Sequence, residues 1–347
     1  MGDPMTTTPP DGLATVLGRA AAAHAADRTD SFLDLARQAA RLAEGGGVPQ
    51  ACVQPLLQVA VDALYEGETD LPEALFLAAL PALEQPEDAA TRASVLHNLA
   101  LLALTREDFA RAHLLDSEGR DLAAAAGEPL VEAECLHGIG AALVAQRDYP
   151  PACAPLERCL ALFEELGDED AVAAAAHSLA IARQELGDLE RARGLFLRCV
   201  AIWRASGYGH GLTEALQGIG EIAQSSGEYR EAMARHADAL PVLLEMDELP
   251  GVSESLEGVA LALAGAGRPD DAVRLFAAAT GIRDRLGAEV PPAVRERVAD
   301  DIAQARTALG AEPFRTHWAW GHALATEEAV AYALGRDGDR LSRPGPK

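Results

Sequence analysis

The residues of this chain that could do chemistry are few, and their spacing is regular. His97, His137 and His177 stand 40 residues apart, and Glu134 precedes His137 in a Glu-x-x-His spacing. Imidazoles and carboxylates in such a pattern point first to metal binding, and Glu-x-x-His is a unit of carboxylate-bridged di-iron centres. That chemistry needs the unit twice plus two further glutamates, and the place equivalent to Glu134 before His177 holds Ala174. Equivalent side chains on neighbouring packed helices are also separated by about 8 to 10 Å, whereas zinc holds its histidine nitrogens at about 2.0 to 2.1 Å. The three histidines cannot share one ion, and the sequence assigns no metal ligand.

Other chemistries fail on their parts. Gly138-Ile-Gly140 and Gly218-Ile-Gly220 lack the third glycine and the preceding strand of a dinucleotide cradle, so packing is their expected role. Gly207-Tyr-Gly-His-Gly211 reads as a flexible linker rather than a phosphate cradle. The only lysine is Lys347, which removes phosphate-binding loops of the Gly-Lys-Ser/Thr kind and Schiff-base catalysis. Neither Gly-x-Ser-x-Gly nor His-Glu-x-x-His occurs. Cys52, Cys135, Cys153, Cys159 and Cys199 include no Cys-x-x-Cys pair, and an odd number is a poor disulfide framework, which suits a reducing, cytoplasmic setting. No catalytic residue and no cofactor are expected, and the chain reads as a non-enzyme.

The elements that must position these residues are legible as a repeat. Leu96-His-Asn-Leu-Ala100, Leu136-His-Gly-Ile-Gly140, Ala176-His-Ser-Leu-Ala180, Leu216-Gln-Gly-Ile-Gly220 and Leu256-Glu-Gly-Val-Ala260 begin 40 residues apart. Sixteen residues after each start comes an alanine: Ala112, Ala152, Ala192, Ala232 and Ala272. Turn-forming residues precede each alanine, and a second break recurs at Gly127, Gly167, Gly207 and Gly287, with Asp247 the exception in the fourth place. Each copy is then a helical hairpin whose two helices cross closely at the small residues. Leu136, Ile139 and Leu143, then Leu156, Cys159 and Phe163, give each helix one apolar face. Aromatics are only 4% while hydrophobic residues reach 49%, a composition that supports packed helices and disfavours sheets.

This pattern resembles the tetratricopeptide repeat. Its slots are filled by Leu216, Ile219-Gly220, Ala232, His236 and Ala239 in the fourth copy, and by Ala176, Leu179-Ala180, Ala192, Phe196 and Cys199 in the third. The 40-residue period resembles the long repeats in the helical sensor arms of ATP-dependent bacterial transcription activators of the LuxR and maltose-activator type. His236 and Asp116 depart from the pattern, since an aromatic is expected in their slot. The resemblance implies an all-α, right-handed superhelical solenoid of antiparallel helix pairs. Residues 1–12 and 335–347 are expected to be disordered, 13–88 to form degenerate hairpins in which Pro72 stands where alanine is required, 89–290 to hold five repeats, and 291–334 to cap them. Trp318 and Trp320 are expected in the core and at the edge of that cap, with ligand stacking as the alternative.

The resemblance further implies that the first helix of each pair lines a concave groove. Its leading slot carries His97, His137, His177, Gln217 and Glu257, one turn earlier stand Glu134, Glu214 and Glu254, and four residues later Glu221. These nine residues are the expected partner-binding groove. With 29 Lys plus Arg against 54 Asp plus Glu, the formal charge is -25, which opposes nucleic acid and anionic membranes. The expected partner is a protein or peptide bearing Arg or Lys, in bacterial transcriptional or signalling control, and a homo-oligomer is compatible with the sequence. A small-molecule or signalling-peptide sensor that changes curvature on binding is the alternative, and a merely solvated face a third reading.

Overall fold

The computed structural model describes residues 12–287 and 292–335, with side chains described from 298 in the second span. The expected disordered ends, 1–12 and 335–347, lie outside the described residues apart from Gly12 and Gly335. Two compact units divide at Gly167 and Asp168. The first holds α1 (Leu13–His24), α2 (Thr29–Gly46), α3 (Gln50–Tyr65), α4 (Asp70–Ala79), α5 (Ala89–Thr105), α6 (Phe109–Ala126), α7 (Pro129–Ala145) and α8 (Tyr149–Leu166). The second holds α9 (Glu169–Glu185), α10 (Leu189–Ser206), α11 (Gly209–Ser225), α12 (Tyr229–Glu245), α13 (Leu249–Gly265), α14 (Pro269–Leu286), α15 (Pro292–Leu309), α16 (Ala311–His322) and α17 (Thr326–Ala333). No strand occurs among the described residues. The fold is all-α, a solenoid of antiparallel helix pairs.

A left-handed backbone residue marks nearly every turn, at a period of 20 residues. Glu107, Gly127, Arg147, Gly167, Gly187, Gly207, Gly227, Asp247, Gly267 and Gly287 all have φ between 56° and 82°, and Asp27, Gly47 and Gly67 keep the same phase. The turn is closed by an amide reaching back five residues, as in Asp148 N–H to Leu143 O at 2.9 Å and Glu228 N–H to Ala223 O at 2.8 Å. Side-chain oxygens of Asp108 and Asp168 then accept the amides of Arg111 and Ala171 at the next helix start. The series is broken only near residue 87, where short 3-10 turns at Leu80–Ala82 and Pro86–Asp88 replace the end of α4.

The five phased alanines are fully buried, and so are Leu56 and Ala60 in the hairpin before them. Pro72 does not break that hairpin, because it is the third residue of α4, where its missing N–H has no intrahelical acceptor to lose. A second buried slot on the second helices holds Asp116, Leu156, Phe196, His236 and Phe276. Asp116, Phe196 and His236 each wedge between the first helix of their own pair and that of the next. A Cβ on Gly220 would lie 2.6 Å from His236 Nε2, and one on Gly258 only 2.5 Å from the same ring, so glycine on both sides admits the imidazole.

The second unit ends with α15 and α16 packed on α14, and α17 reaching α13 and α14. Arg274 of α14 lies 5.2 Å from the Trp320 ring and donates to Tyr332 Oη at 2.8 Å and to His317 Nδ1 at 3.1 Å. Trp318 stacks on Phe314 with centroids 5.5 Å apart. Both indoles are half-buried in these contacts.

Candidate functional site

In the second unit the first helices α9, α11 and α13 stand side by side in register. Gln184 Nε2 donates to Glu221 Oε2 at 3.0 Å, Gln217 Nε2 to Ser255 Oγ at 2.9 Å, and His177 Nε2 lies 3.8 Å from Glu214 Oε2. Each pair links neighbouring first helices at nearly the repeat spacing, so one face of three helices forms a common surface. Glu214, Glu221 and Glu254 are exposed on it, and Gln217 is half-buried.

An aromatic wall adjoins the acids. The His177 ring lies 5.6 Å from both Phe196 and Trp203, Trp203 lies 5.8 Å from Tyr208, and Tyr208 lies 6.4 Å from His210. His210 Nε2 is 3.5 Å from Glu214 Oε1. Burial holds His177 below the ordinary histidine range against the opposing pull of Glu214, which favours a neutral ring. The sequence from Gly207 to Gly211 is not a linker, contrary to expectation. Only Gly207 and Tyr208 lie outside helices, and α11 begins at Gly209. Its glycine at 211 makes room for the indole, because a Cβ there would meet Trp203 at 2.7 Å.

Glu257 departs from the expected groove. It is only 4% exposed, and Arg283 of α14 grips both its oxygens, Nη2 donating to Oε2 at 2.8 Å and Nη1 to Oε1. A bidentate guanidinium satisfies the carboxylate internally. The residue braces α13 against α14 instead of offering charge to a partner.

In the first unit, His97 of α5 and Glu134 and His137 of α7 are half-buried. His97 Nδ1 lies 2.9 Å from Asp116 Oδ1 on α6, and Asp116 is fully buried. Burial pushes the Asp116 carboxyl above the usual range, opposed by His97 and by the Cys135 thiol. Sequence reasoning passed over Asp116 as a flaw in the repeat. The signal was there, because an acid occupied a slot filled elsewhere by Leu156, Phe196 and Phe276. The buried thiols Cys159 and Cys199 are pushed up to about 12, chiefly by desolvation, so they are inert packing residues.

A family model described as tetratricopeptide repeat matches residues 132–205 and 171–245. A search of curated proteins returned no match. Among solved structures, the signal transduction ATPase with numerous domains from Pyrococcus horikoshii, which has a tetratricopeptide repeat sensor, is 11% identical with a TM-score of 0.63. That alignment covers 90% of this chain and 45% of the other. A Rap protein complexed with competence and sporulation factor is 18% identical with a TM-score of 0.55, covering 94% of this chain and 84% of its own. Aspartyl phosphate phosphatase F from Bacillus subtilis is 11% identical with a TM-score of 0.54, covering 100% and 99%. Residues 132–245 thus match the tetratricopeptide repeat, and these structures share the fold of the chain. The narrower resemblance to LuxR and maltose-activator regulators is not among these matches.

Proposed function

We propose that the protein is a non-enzymatic scaffold whose first-helix face takes a peptide or protein segment carrying Arg or Lys, in bacterial transcriptional or signalling regulation. The observation that carries this reading is the acidic and aromatic surface of α11, where exposed Glu214 and Glu221 flank half-buried Gln217 beside half-exposed Tyr208. Carboxylates bind guanidinium and ammonium groups, and the tyrosine face adds cation–π attraction. Glu254 on α13 extends the acidic character to the neighbouring helix. The structure of a Rap protein with its peptide factor supports this reading by analogy of fold alone. No described helix is long and apolar enough to cross a membrane. All five cysteines are free and buried, which supports a cytoplasmic setting.

The spacing of the acids gives the partner a pattern. Glu214 and Glu221 are seven residues apart on one helix, about 10.5 Å along its axis. A peptide in the polyproline II conformation has three residues per turn at about 3.1 Å each, so residues three apart share one face and stand about 9.3 Å apart. A basic residue, two of any kind and a second basic residue therefore fit the pair. Selection from a random peptide display library tests this directly. Enrichment of paired basic residues at that spacing is the expected result, and enrichment of acidic or purely apolar peptides would refute it.

A further inference from the structure

His97, Asp116 and Cys135 come from three successive helices, α5, α6 and α7, and offer ligand atoms that all lie within 4.8 Å of one another. They occupy inequivalent slots of the repeat, so the geometry that keeps His97, His137 and His177 apart does not apply to them. Asp116 and Cys135 are fully buried, and only the His97 edge reaches solvent, its side chain 14% exposed. Asp116 Oδ1 meets His97, while Oδ2 has no hydrogen-bond partner. A buried carboxylate with an orphan oxygen is costly, and a fold tolerates it when something compensates the charge.

The surroundings are cut to fit these groups. Position 135 is Val95, Ala175, Ala215 or Ser255 in the other copies, and only here is it a thiol. A Cβ on Gly138 would lie 2.0 Å from Asp116 Oδ2, and one on Gly119 2.9 Å from Cys135 Sγ. No other copy of the repeat joins a histidine, an acid and a cysteine in these slots.

We propose that His97, Asp116 and Cys135 form a binding site for a divalent transition metal ion, with zinc the best match to the donors. Imidazole nitrogen, carboxylate oxygen and thiolate sulfur are zinc's ordinary ligands, and three of them leave the fourth tetrahedral position to water. One thiolate and one carboxylate neutralise a dication, so the loaded site carries no net charge, which suits its burial. Tetrahedral ligands at bonds of about 2.0 to 2.3 Å stand roughly 3.3 to 3.8 Å apart. Closing from the observed spread needs small side-chain rotations.

With Asp116 ionised and His97 neutral in its Nε2–H tautomer, the ion takes the Nδ1 and Oδ1 lone pairs. The Cys135 thiol gives its proton to solvent as the metal–sulfur bond forms, one proton per ion. Uptake is then favoured by rising pH. Besides the ligands themselves, the charged groups acting on the cluster are His113 and Arg120 of α6 and Glu134 of α7.

Titration of the metal-free full chain with Co2+ tests the site. One equivalent should produce a near-ultraviolet thiolate-to-cobalt charge-transfer band and intense visible bands of tetrahedral cobalt, both erased by one equivalent of Zn2+. Zn2+ alone should raise Tm by several degrees. Cys135→Ala should abolish the charge-transfer band. Asp116→Leu, which copies the shape of the carboxylate and the residue at Leu156, should keep the helical circular dichroism and lose the stoichiometric binding. Absence of the band in the unaltered protein, or its persistence in Cys135→Ala, would overturn the proposal.

Discussion

Asp116 shows how much one residue in a repeat slot can change. Its carboxyl is raised above the ordinary value of about 3.9, mainly by burial. The folded metal-free protein therefore binds more protons than the unfolded chain between about pH 3.9 and that raised value. Stability from this group is present below the window and is lost as pH rises through it. Urea midpoints of metal-free protein across that range should show the loss, and Asp116→Leu should remove it. At neutral pH, replacing both members of the pair, His97→Leu with Asp116→Leu, should be neutral or stabilising by up to about 4 kcal/mol, as for other buried pairs replaced whole by apolar residues. Glu257 behaves in the opposite sense, because Glu257→Ala would strand Arg283. A loss of about 3 to 5 kcal/mol is expected from chemical denaturation, with little change for exposed Glu214→Ala. The polar stripe on the first helices was legible from the 40-residue spacing. What each member touches was not, since Arg283 and Asp116 reach it from second helices whose phase relative to the stripe only packing fixes.

The hairpins themselves were almost fully written in the chain. Alanines at a fixed phase mark the close crossings, and Ala192 and Ala232 are fully buried there. Replacing either by Leu should overpack the crossing and cost about 1 to 3 kcal/mol, while half-buried Ala174→Leu should cost little, as thermal melts would show. The turns were legible throughout, but the left-handed residue inside each was legible only where it is glycine. Arg147 and Glu107 adopt φ of 60° and 59° in the same phase as the glycines. A side chain there is strained by roughly 1 to 2 kcal/mol. Arg147→Gly should accordingly raise stability by about 1 kcal/mol after the entropy cost of glycine. Asp247→Gly should gain less, because aspartate tolerates the left-handed region better. The stretch around Gly209 misled because three glycines in five residues look like a linker. Two of them instead accommodate Trp203 and Met246 within a helix, which no local rule reveals.

At the scale of the molecule, the excess of acidic residues gives the chain a negative field, and this field should speed encounter with basic segments at low salt. The acids on α11 turn that general attraction into a located claim. The most direct measurement is fluorescence anisotropy of the tightest peptide from the display selection, titrated with the full chain and with two charge-reversed variants. Glu214→Arg with Glu221→Arg reverses the first-helix face, and Glu190→Arg with Glu245→Arg makes the same charge change at exposed sites on second helices of the same unit. A Kd at least tenfold weaker, about 1.4 kcal/mol, is expected for the first pair, and an unchanged Kd for the second, with both variants equally helical. Equal losses from both pairs, or a loss from the second pair alone, would contradict this expectation and move the binding surface off the first helices.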